Sequence, residues 1–133
     1  MLVFSEYQTD TIDLALDFYG YQDCPKNYEF GPSVRDNFVL HFITKGKGVF
    51  HINKKEIHLE AGDLFLLPKN KVTYYQADAE DPWSYYWIGI SGTKVSDFMR
   101  FSTLYEKGFL KKTEVDTERI GQFMEQLVHK AEA

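Results

Sequence analysis

The stretch from Val39 to Ser91 constrains the fold most, because short apolar segments alternate there with turn residues at nearly regular intervals. The predicted strands are, in chain order, Val39–Thr44, Val49–Ile52, Glu56–Leu59, Leu64–Leu67, Val72–Ala77 and Trp83–Ser91. Glycine, proline, asparagine or aspartate stands at their boundaries, as in Gly46-Lys47-Gly48. Strands at a spacing of about 8–12 residues with such turns are typical of a sandwich or barrel, not of strands alternating with helices.

Length and charge narrow the class of protein. A chain of 133 residues suits one domain that buries roughly two thirds of its unfolded surface. Aromatic residues make up 17% of the chain, so either the core is dense in rings or rings line a cavity. The net charge is −5, and the basic residues are scattered along the chain, which argues against direct binding of nucleic acid.

Cysteine usage bears on the cellular compartment. Cys24 is the single cysteine, so an internal disulfide is excluded. The sequence shows no signal peptide and no long apolar run. We therefore expect a cytoplasmic protein that has no membrane partner.

The segments before the strands are less regular. In Ile12–Phe18 large apolar residues alternate with aspartate or alanine, which favours a half-buried strand over a short helix. Met1–Thr9 has no clear period and is interpreted as an arm or a loose first strand. Gly20–Arg35 contains two prolines and is predicted to be an irregular loop that covers a site or carries function.

Beyond Ser91 the hydrophobic period becomes helical. Gly92–Phe101 is predicted to be a helix, and Tyr105–Thr113 a charged connector. Asp116 is predicted to cap a terminal helix, whose narrow apolar stripe comprises Ile120, Phe123, Met124, Leu127 and Val128. Such a stripe either packs on its own domain or forms a dimer seam. The predicted division is a barrel over residues 1–91 and a helical dimerisation segment over residues 92–133.

An ordered set of short motifs resembles a known family. These are Gly31-Pro32-Ser33-Val34-Arg35-Asp36, Leu40-His41-Phe42, Gly46-Lys47-Gly48, Ala61-Gly62-Asp63, Pro68, Tyr75 and Pro82-Trp83-Ser84-Tyr85-Tyr86-Trp87-Ile88. In order and spacing they resemble the amino-terminal domain of AraC-family bacterial transcription regulators. The resemblance implies a cupin-type jelly-roll β-barrel that holds a small effector, often a sugar, followed by two C-terminal helices that form a homodimer. The family's DNA-reading helix-turn-helix units would lie beyond Ala133, so DNA would be bound only through that further domain.

A metal-dependent cupin enzyme, of the isomerase or dioxygenase type, is the alternative. Enzymatic cupins place a histidine pair and a glutamate before the first glycine turn and a third histidine later. Here Val39 stands near the glutamate position and Thr73 at the third histidine. The four histidines, His41, His51, His58 and His129, lie on separate elements without the spacing of metal ligands. We expect no metal, no cofactor and no catalytic residue.

The candidate ligand contacts combine strand alternation with the resemblance. Alternation places Tyr85 and Trp87 on one face of their strand and Tyr86 on the other. The resemblance selects Tyr85 and Trp87 as inward, with Trp87 packing against a sugar and Tyr75 donating a hydrogen bond to it. Founding members carry a histidine at the Tyr85 position. The alternative that these rings only fill a core stays open.

Two further side chains complete the candidate site. Arg35 falls in the region of the family's sugar-contacting arginine, and its guanidinium suits vicinal hydroxyls or a carboxylate. His41 shares its strand face with Val39 and Ile43, the face that lines the family's pocket. His41 is interpreted either as a polar group of the pocket or as a core imidazole whose hydrogen bonds are made within the protein. Arg35 is interpreted either as a ligand contact or as a surface residue.

Overall fold

Strands dominate the computed structural model of the chain, which describes residues 15–33, 37–92 and 102–132. The strands are β1 (Ala15–Asp23), β2 (Glu29–Ser33), β3 (Phe38–Lys45), β4 (Lys47–Ile52), β5 (Lys55–Glu60), β6 (Leu64–Leu67), β7 (Thr73–Ala77), β8 (Ser84–Ser91) and β9 (Phe109–Leu110), and the helices are α1 (Thr103–Lys107) and α2 (Thr117–Glu132). The first sheet has the order β1-β8-β3-β6-β9 and the second β2-β7-β4-β5. All pairings between these strands are antiparallel.

The predicted strands between Val39 and Ser91 are confirmed as β3 to β8, with ends that differ by no more than two residues. Turn residues explain this agreement, because they fix where each strand must end. Gly46, between β3 and β4, has a φ of 76°, a backbone conformation that residues with a side chain rarely adopt. A Cβ atom there would also lie 2.8 Å from Cα of Trp83, so space and backbone conformation both require glycine.

The prediction for Gly20–Arg35 is wrong over most of its length. β1 continues through Gly20 to Asp23, and β2 occupies Glu29–Ser33. Proline lacks an amide proton, but β2 is an edge strand, where Pro32 is tolerated. The pairing of β2 with β7 shifts register between Phe30 and Ser33. Proline and glycine therefore mark an irregular edge strand here, not a loop.

The predicted strand Ile12–Phe18 is described only from Ala15 onward, and that part lies in β1. Its simple alternation is interrupted, because the register with β8 shifts between Leu16 and Phe18. Leu16 consequently packs in the apolar core between the first sheet and α2, the outer core, whereas Phe18 packs against the core between the two sheets. A bulge of this kind redirects every later side chain of a strand to the other face.

The C-terminal region differs from prediction in its connector. Of the predicted helix Gly92–Phe101, only Gly92 belongs to the described residues. The predicted connector Tyr105–Thr113 instead contains the end of α1 and all of β9, which pairs with β6. The terminal helix is confirmed as α2, which begins directly after Asp116. The backbone N–H of Arg119 points to Oδ1 of Asp116 at 3.4 Å.

Two apolar cores follow from this arrangement. One lies between the sheets and includes Phe50, Phe65 and Trp83, all fully buried. The other lies between the outer face of the first sheet and α2, where Met124 and Val128 are buried. In the ranges that the structure describes, no helix combines the length and apolar character needed to cross a membrane.

Candidate functional site

A cavity of about 200 Å³ opens between the two sheets and is partly open to solvent. Most of its wall is aromatic, and its polar groups are hydroxyl, amide and imidazole groups. The described residues that line it are Phe18, Gln22, Tyr28, Phe30, Val39, His41, Tyr75, Tyr85 and Trp87. None of these is an aspartate, glutamate, lysine or arginine. Its volume is below the roughly 300–1,000 Å³ of pockets for drug-sized ligands, so the cavity suits a smaller molecule.

Strand register explains how these side chains converge. Successive side chains of a strand point to opposite faces, so Tyr85 and Trp87 share the inner face of β8. Trp87 pairs with His41 on β3, which places both side chains in one row across the first sheet. The second sheet provides the opposite wall, where Phe30 of β2 pairs with Tyr75 of β7. Their rings stack with centroids 5.5 Å apart.

His41 lies at the centre of a cluster of rings and is only 2% exposed. Its imidazole stacks on Phe65, with centroids 4.2 Å apart and planes inclined by 8°. The rings of Tyr75 and Tyr85 meet it edge-on, with centroids at 5.4 Å and 4.9 Å. These three contacts hold the imidazole in one orientation.

Tyr85 supplies a fixed hydroxyl. Burial raises the pKa of its phenol well above the usual value, and the side chains of Tyr75 and Cys24, which hydrogen-bond to it, raise that pKa further. Burial likewise raises the pKa of the Cys24 thiol. The phenol therefore remains protonated at physiological pH and keeps a proton to donate. A chain of side chains, Tyr75, Tyr85 and Cys24, runs from the cavity into the core.

The sequence of this barrel matches a family model. Residues 15–133 match the model described as the AraC-like ligand binding domain. The chain belongs to this family. The resemblance seen in the short motifs is thereby confirmed.

Two curated relatives of this AraC-like domain are regulators. The Msm operon regulatory protein of Streptococcus mutans is 47% identical over 105 residues, which are 79% of this chain and 38% of that protein. The raffinose operon transcriptional regulatory protein RafR of Pediococcus pentosaceus is 41% identical over 100 residues, 73% of this chain and 36% of that protein. The chain thus spans less than two fifths of the length of either relative.

Solved structures support the predicted fold class of the AraC-like domain, a mainly β, cupin-type barrel with C-terminal helices. The apo form of a ToxT variant from Vibrio cholerae superposes with a TM-score of 0.57 at 14% identity, covering 86% of this chain and 47% of that one. The cupin domain of Cnp3 from Schizosaccharomyces pombe gives a TM-score of 0.51 at 16% identity, covering 69% of this chain and 65% of that one. At such identities the likeness concerns the fold alone.

The structure brings together most of the sequence-predicted contacts of the AraC-like domain. His41, Tyr75, Tyr85 and Trp87 all line the same cavity, although their role in binding a ligand stays a prediction. Arg35 lies outside the described residues. The lining residues that sequence reasoning missed are Phe18, Gln22, Tyr28 and Phe30, whereas Val39 lies on the strand face that the resemblance assigns to the pocket. Gln22, Tyr28 and Phe30 lie within Gly20–Arg35, for which the sequence predicts a loop, so strand alternation does not point to them.

The apolar stripe of α2 mostly packs on its own barrel. Met124 and Val128 are buried, and Ile120 and Leu127 are partly buried against the same outer core. Phe123, by contrast, is 61% exposed. The role of this stripe in dimerisation stays a prediction, and Phe123 is its most accessible member.

The donor groups for a metal ion do not converge in the part of the chain that the structure describes. No cluster of three or more histidine, cysteine, aspartate or glutamate side chains there could hold a metal ion. His41 is the sole histidine among the described residues that line the cavity, and Val39 and Thr73 have no ligating nitrogen, sulfur or carboxylate. A cupin-type metal centre needs three protein ligands around an open position.

Proposed function

We propose that this chain is the effector-sensing part of a transcription regulator and binds a small neutral sugar in the cavity between its sheets. The observation that carries the proposal is the composition of the cavity wall. It combines aromatic rings with hydroxyl, amide and imidazole groups in a barrel of the AraC-like ligand binding domain family. A sugar ring has apolar C–H faces and a rim of hydroxyl groups, and such a wall is complementary to both.

Each predicted contact has a specific part in this proposal. Trp87 supplies the apolar face for ring C–H groups, while Tyr75, Tyr85 and His41 supply hydrogen bonds. Arg35 stands between β2 and β3 in the chain, and both strands contribute to the cavity wall through Phe30 and Val39. We propose that the guanidinium of Arg35 donates hydrogen bonds to one pair of ring hydroxyls.

The volume and charge of the cavity favour one neutral ring. About 200 Å³ accommodates a monosaccharide, or one terminal ring of an oligosaccharide, better than a complete trisaccharide. No described lining residue is an aspartate, glutamate, lysine or arginine, so a buried phosphate or carboxylate would depend on Arg35 alone for a cation, and burying an unpaired charge is costly. RafR is named for a raffinose operon, which makes raffinose and its component monosaccharides reasonable first probes.

A thermal-shift screen tests the proposal. The panel contains raffinose, D-galactose, D-glucose and D-fructose, together with a sugar acid and a sugar phosphate as charged comparisons. A ligand that binds only the folded state at 100 times its dissociation constant stabilises that state by about 2.7 kcal/mol. Calorimetry with the best neutral sugar then gives its affinity.

Three substitutions decide where the sugar binds. Trp87→Ala should nearly abolish binding, and Arg35→Ala and Tyr75→Phe should each weaken it. The melting temperature is measured in parallel, because Trp87→Ala also opens a cavity in the core. If all three variants bind the sugar as well as the parent does, the site lies elsewhere and the rings only fill the core.

DNA binding and dimerisation belong to the proposal for the complete regulator. The two relatives named as regulators are much longer than this chain, so we propose that a further domain reads DNA. We also propose a homodimer through α2, in which the exposed ring of Phe123 meets a second copy.

A further inference from the structure

Two glycines on neighbouring strands lie directly opposite two aromatic rings of the cavity. In the pairing of β1 with β8, Gly20 is the partner of Trp87 and Phe18 is the partner of Gly89. Phe18 and Trp87 line the cavity, whereas neither glycine does. Each strand therefore contributes one ring to the floor of the cavity and one glycine beneath the ring of the other strand.

Both rings lie across the backbone of the opposite strand. A Cβ atom on Gly20 would overlap Cζ2 and Cη2 of Trp87 and lie 2.9 Å from Cε2. A Cβ atom on Gly89 would overlap Cζ of Phe18 and lie 2.5 Å from Cε1 and Cε2. Real Cβ atoms almost never approach other atoms so closely, so any larger residue at either position displaces the ring.

Backbone conformation does not explain these glycines. The described glycines with positive φ are Gly31, Gly46, Gly62, Gly92 and Gly108, and neither Gly20 nor Gly89 is among them. Glycine within a strand weakens that strand, because it has more conformational freedom to lose and no side chain to pack. Space for the opposing ring is the remaining reason, and strand glycines often mark places of such close approach.

We propose that Gly20 and Gly89 are positioning residues of the cavity, because their missing side chains let Trp87 and Phe18 lie flat on the floor. Flat rings leave the volume above them to the ligand and present their faces to it. A methyl group at position 20 tilts the indole away from the sheet and removes the stacking surface. The consequence for ligand binding rests on the proposed function, whereas the packing of the ring does not.

Tryptophan fluorescence tests the packing without a ligand. The chain has two tryptophans, and Trp83 is 0% exposed, so a soluble quencher such as acrylamide reports mainly on Trp87. Gly20→Ala should raise the quenching constant and shift the emission to longer wavelength. Trp83→Phe, which leaves Trp87 as the single tryptophan, provides a cleaner background for the same comparison.

Gly121→Ala is the matched control. Gly121 lies on α2, and a Cβ atom there would lie 2.6 Å from Cδ2 of Phe42, a clash with a ring similar to that at Gly20. Phe42 belongs to the outer core, on the other side of the first sheet from the cavity. Gly121→Ala should therefore lower the melting temperature but leave the quenching of Trp87 unchanged.

Combining Gly20→Ala with Trp87→Ala keeps the proposal testable even if the single variant folds poorly. In the parent, alanine at position 20 should lower the melting temperature. In the Trp87→Ala background the ring is gone, so the same alanine should leave the melting temperature unchanged or raise it. An equal loss in both backgrounds overturns the proposal, as does unchanged Trp87 quenching in a folded Gly20→Ala protein.

Sugar affinity links the packing to the proposed function. With D-galactose or raffinose as the probe, Gly20→Ala should weaken binding by about tenfold or more, because a preorganised stacking surface is lost. If quenching rises while affinity stays the same, the indole does not contact the sugar and the positioning role fails. If the parent binds none of the sugars while quenching rises, the proposed function fails and the packing relationship stands.

Discussion

The hydroxyl oxygen of Tyr86 lies 3.1 Å from Nε2 of His129 and joins strand β8 to the last turn of helix α2. Tyr85 and Trp87, the neighbours of Tyr86 in the chain, face the cavity. One strand therefore contacts the candidate ligand site with one face and the C-terminal helix with the other. β8 is thus the strand that the candidate ligand site and α2 have in common.

We expect the Tyr86–His129 contact to contribute to stability. Tyr86→Phe removes the hydroxyl but keeps the buried ring, so we expect the free energy of unfolding in urea to fall by about 0.5–1.5 kcal/mol. His129→Ala should cost a similar amount. The double variant should lose little more than either single one, because both substitutions remove the same hydrogen bond. Fully additive losses would show that the two side chains act independently.

Adjacent tyrosines on β7 provide a matched pair for the cavity. Tyr75 faces the cavity, whereas the hydroxyl of Tyr74 donates to Oε2 of Glu29 at 2.6 Å on the outer face. An unpaired buried polar group costs roughly 1–3 kcal/mol, so Tyr75→Phe should weaken sugar binding about fivefold or more. Tyr74→Phe should leave the affinity unchanged. Calorimetry on both variants decides, and equal effects would place the sugar elsewhere.

Asp63 anchors the turn between β5 and β6. It is 3% exposed, and its two carboxylate oxygens accept the backbone N–H groups of Glu60 and Lys112, each at 2.9 Å. Asp63→Ala leaves both N–H groups without this partner, and we expect a loss of about 2 kcal/mol or more in the free energy of unfolding.

Glu114→Gln is the comparison for Asp63, because it breaks the Lys107–Glu114 ion pair, whose side chains are 34% and 44% exposed. Exposed ion pairs contribute little to stability, so chemical denaturation should show a much smaller loss. Equal losses in the two variants would contradict the role given to Asp63.

The turn that leads into β8 should respond to acid. The backbone N–H groups of Asp81 and Glu80 donate to Asp78 and hold the pKa of its carboxyl below its usual value of 3.8. The charged carboxylate therefore stabilises the folded state above that value, and this contribution is lost as the pH falls through the lowered pKa. Asp78→Asn should flatten the acid side of a plot of melting temperature against pH. An unchanged curve would mean that the turn contributes nothing to acid stability.

The sequence predicted the strands best next to turns in which glycine or asparagine adopts a positive φ, a conformation that most other residues avoid. Gly46 and Asn70 have φ values of 76° and 63°, and the strands next to them lie close to their predicted positions. The sequence does not predict β2, because Pro32 favours a loop there, although an edge strand tolerates proline. The two residues of β9 depend on pairing with β6, and no local pattern in the sequence reveals that pairing.

Part of the candidate site was predictable from the sequence, because it lies on a regular strand. Alternation and family resemblance identified Tyr85 and Trp87, since β8 is long and regular. Gly20 and Gln22 were not identified, because their strand continues past a register shift that alternation alone does not predict. Once β1 is read through to Asp23, the alternation of Phe18, Gly20 and Gln22 points to the cavity floor.

Phe123 gives the sharpest test of the proposed homodimer. It is 61% exposed on α2, whereas Met124 and Val128 on the same helix are buried against the barrel. Phe123→Glu therefore places a charge in any seam between two copies while leaving the outer core intact, and an unpaired buried charge is strongly destabilising. Sedimentation velocity at tens of micromolar should show the parent as a dimer and the variant as a monomer with the same circular dichroism.

Gln122→Glu controls for the added charge in that experiment, because it introduces a carboxylate at the neighbouring exposed position of α2 without removing the ring. It should retain more of the dimer than Phe123→Glu does. A parent that sediments as a monomer would show that Phe123 forms no seam in this chain. A Phe123→Glu variant that still dimerises would move the interface away from α2.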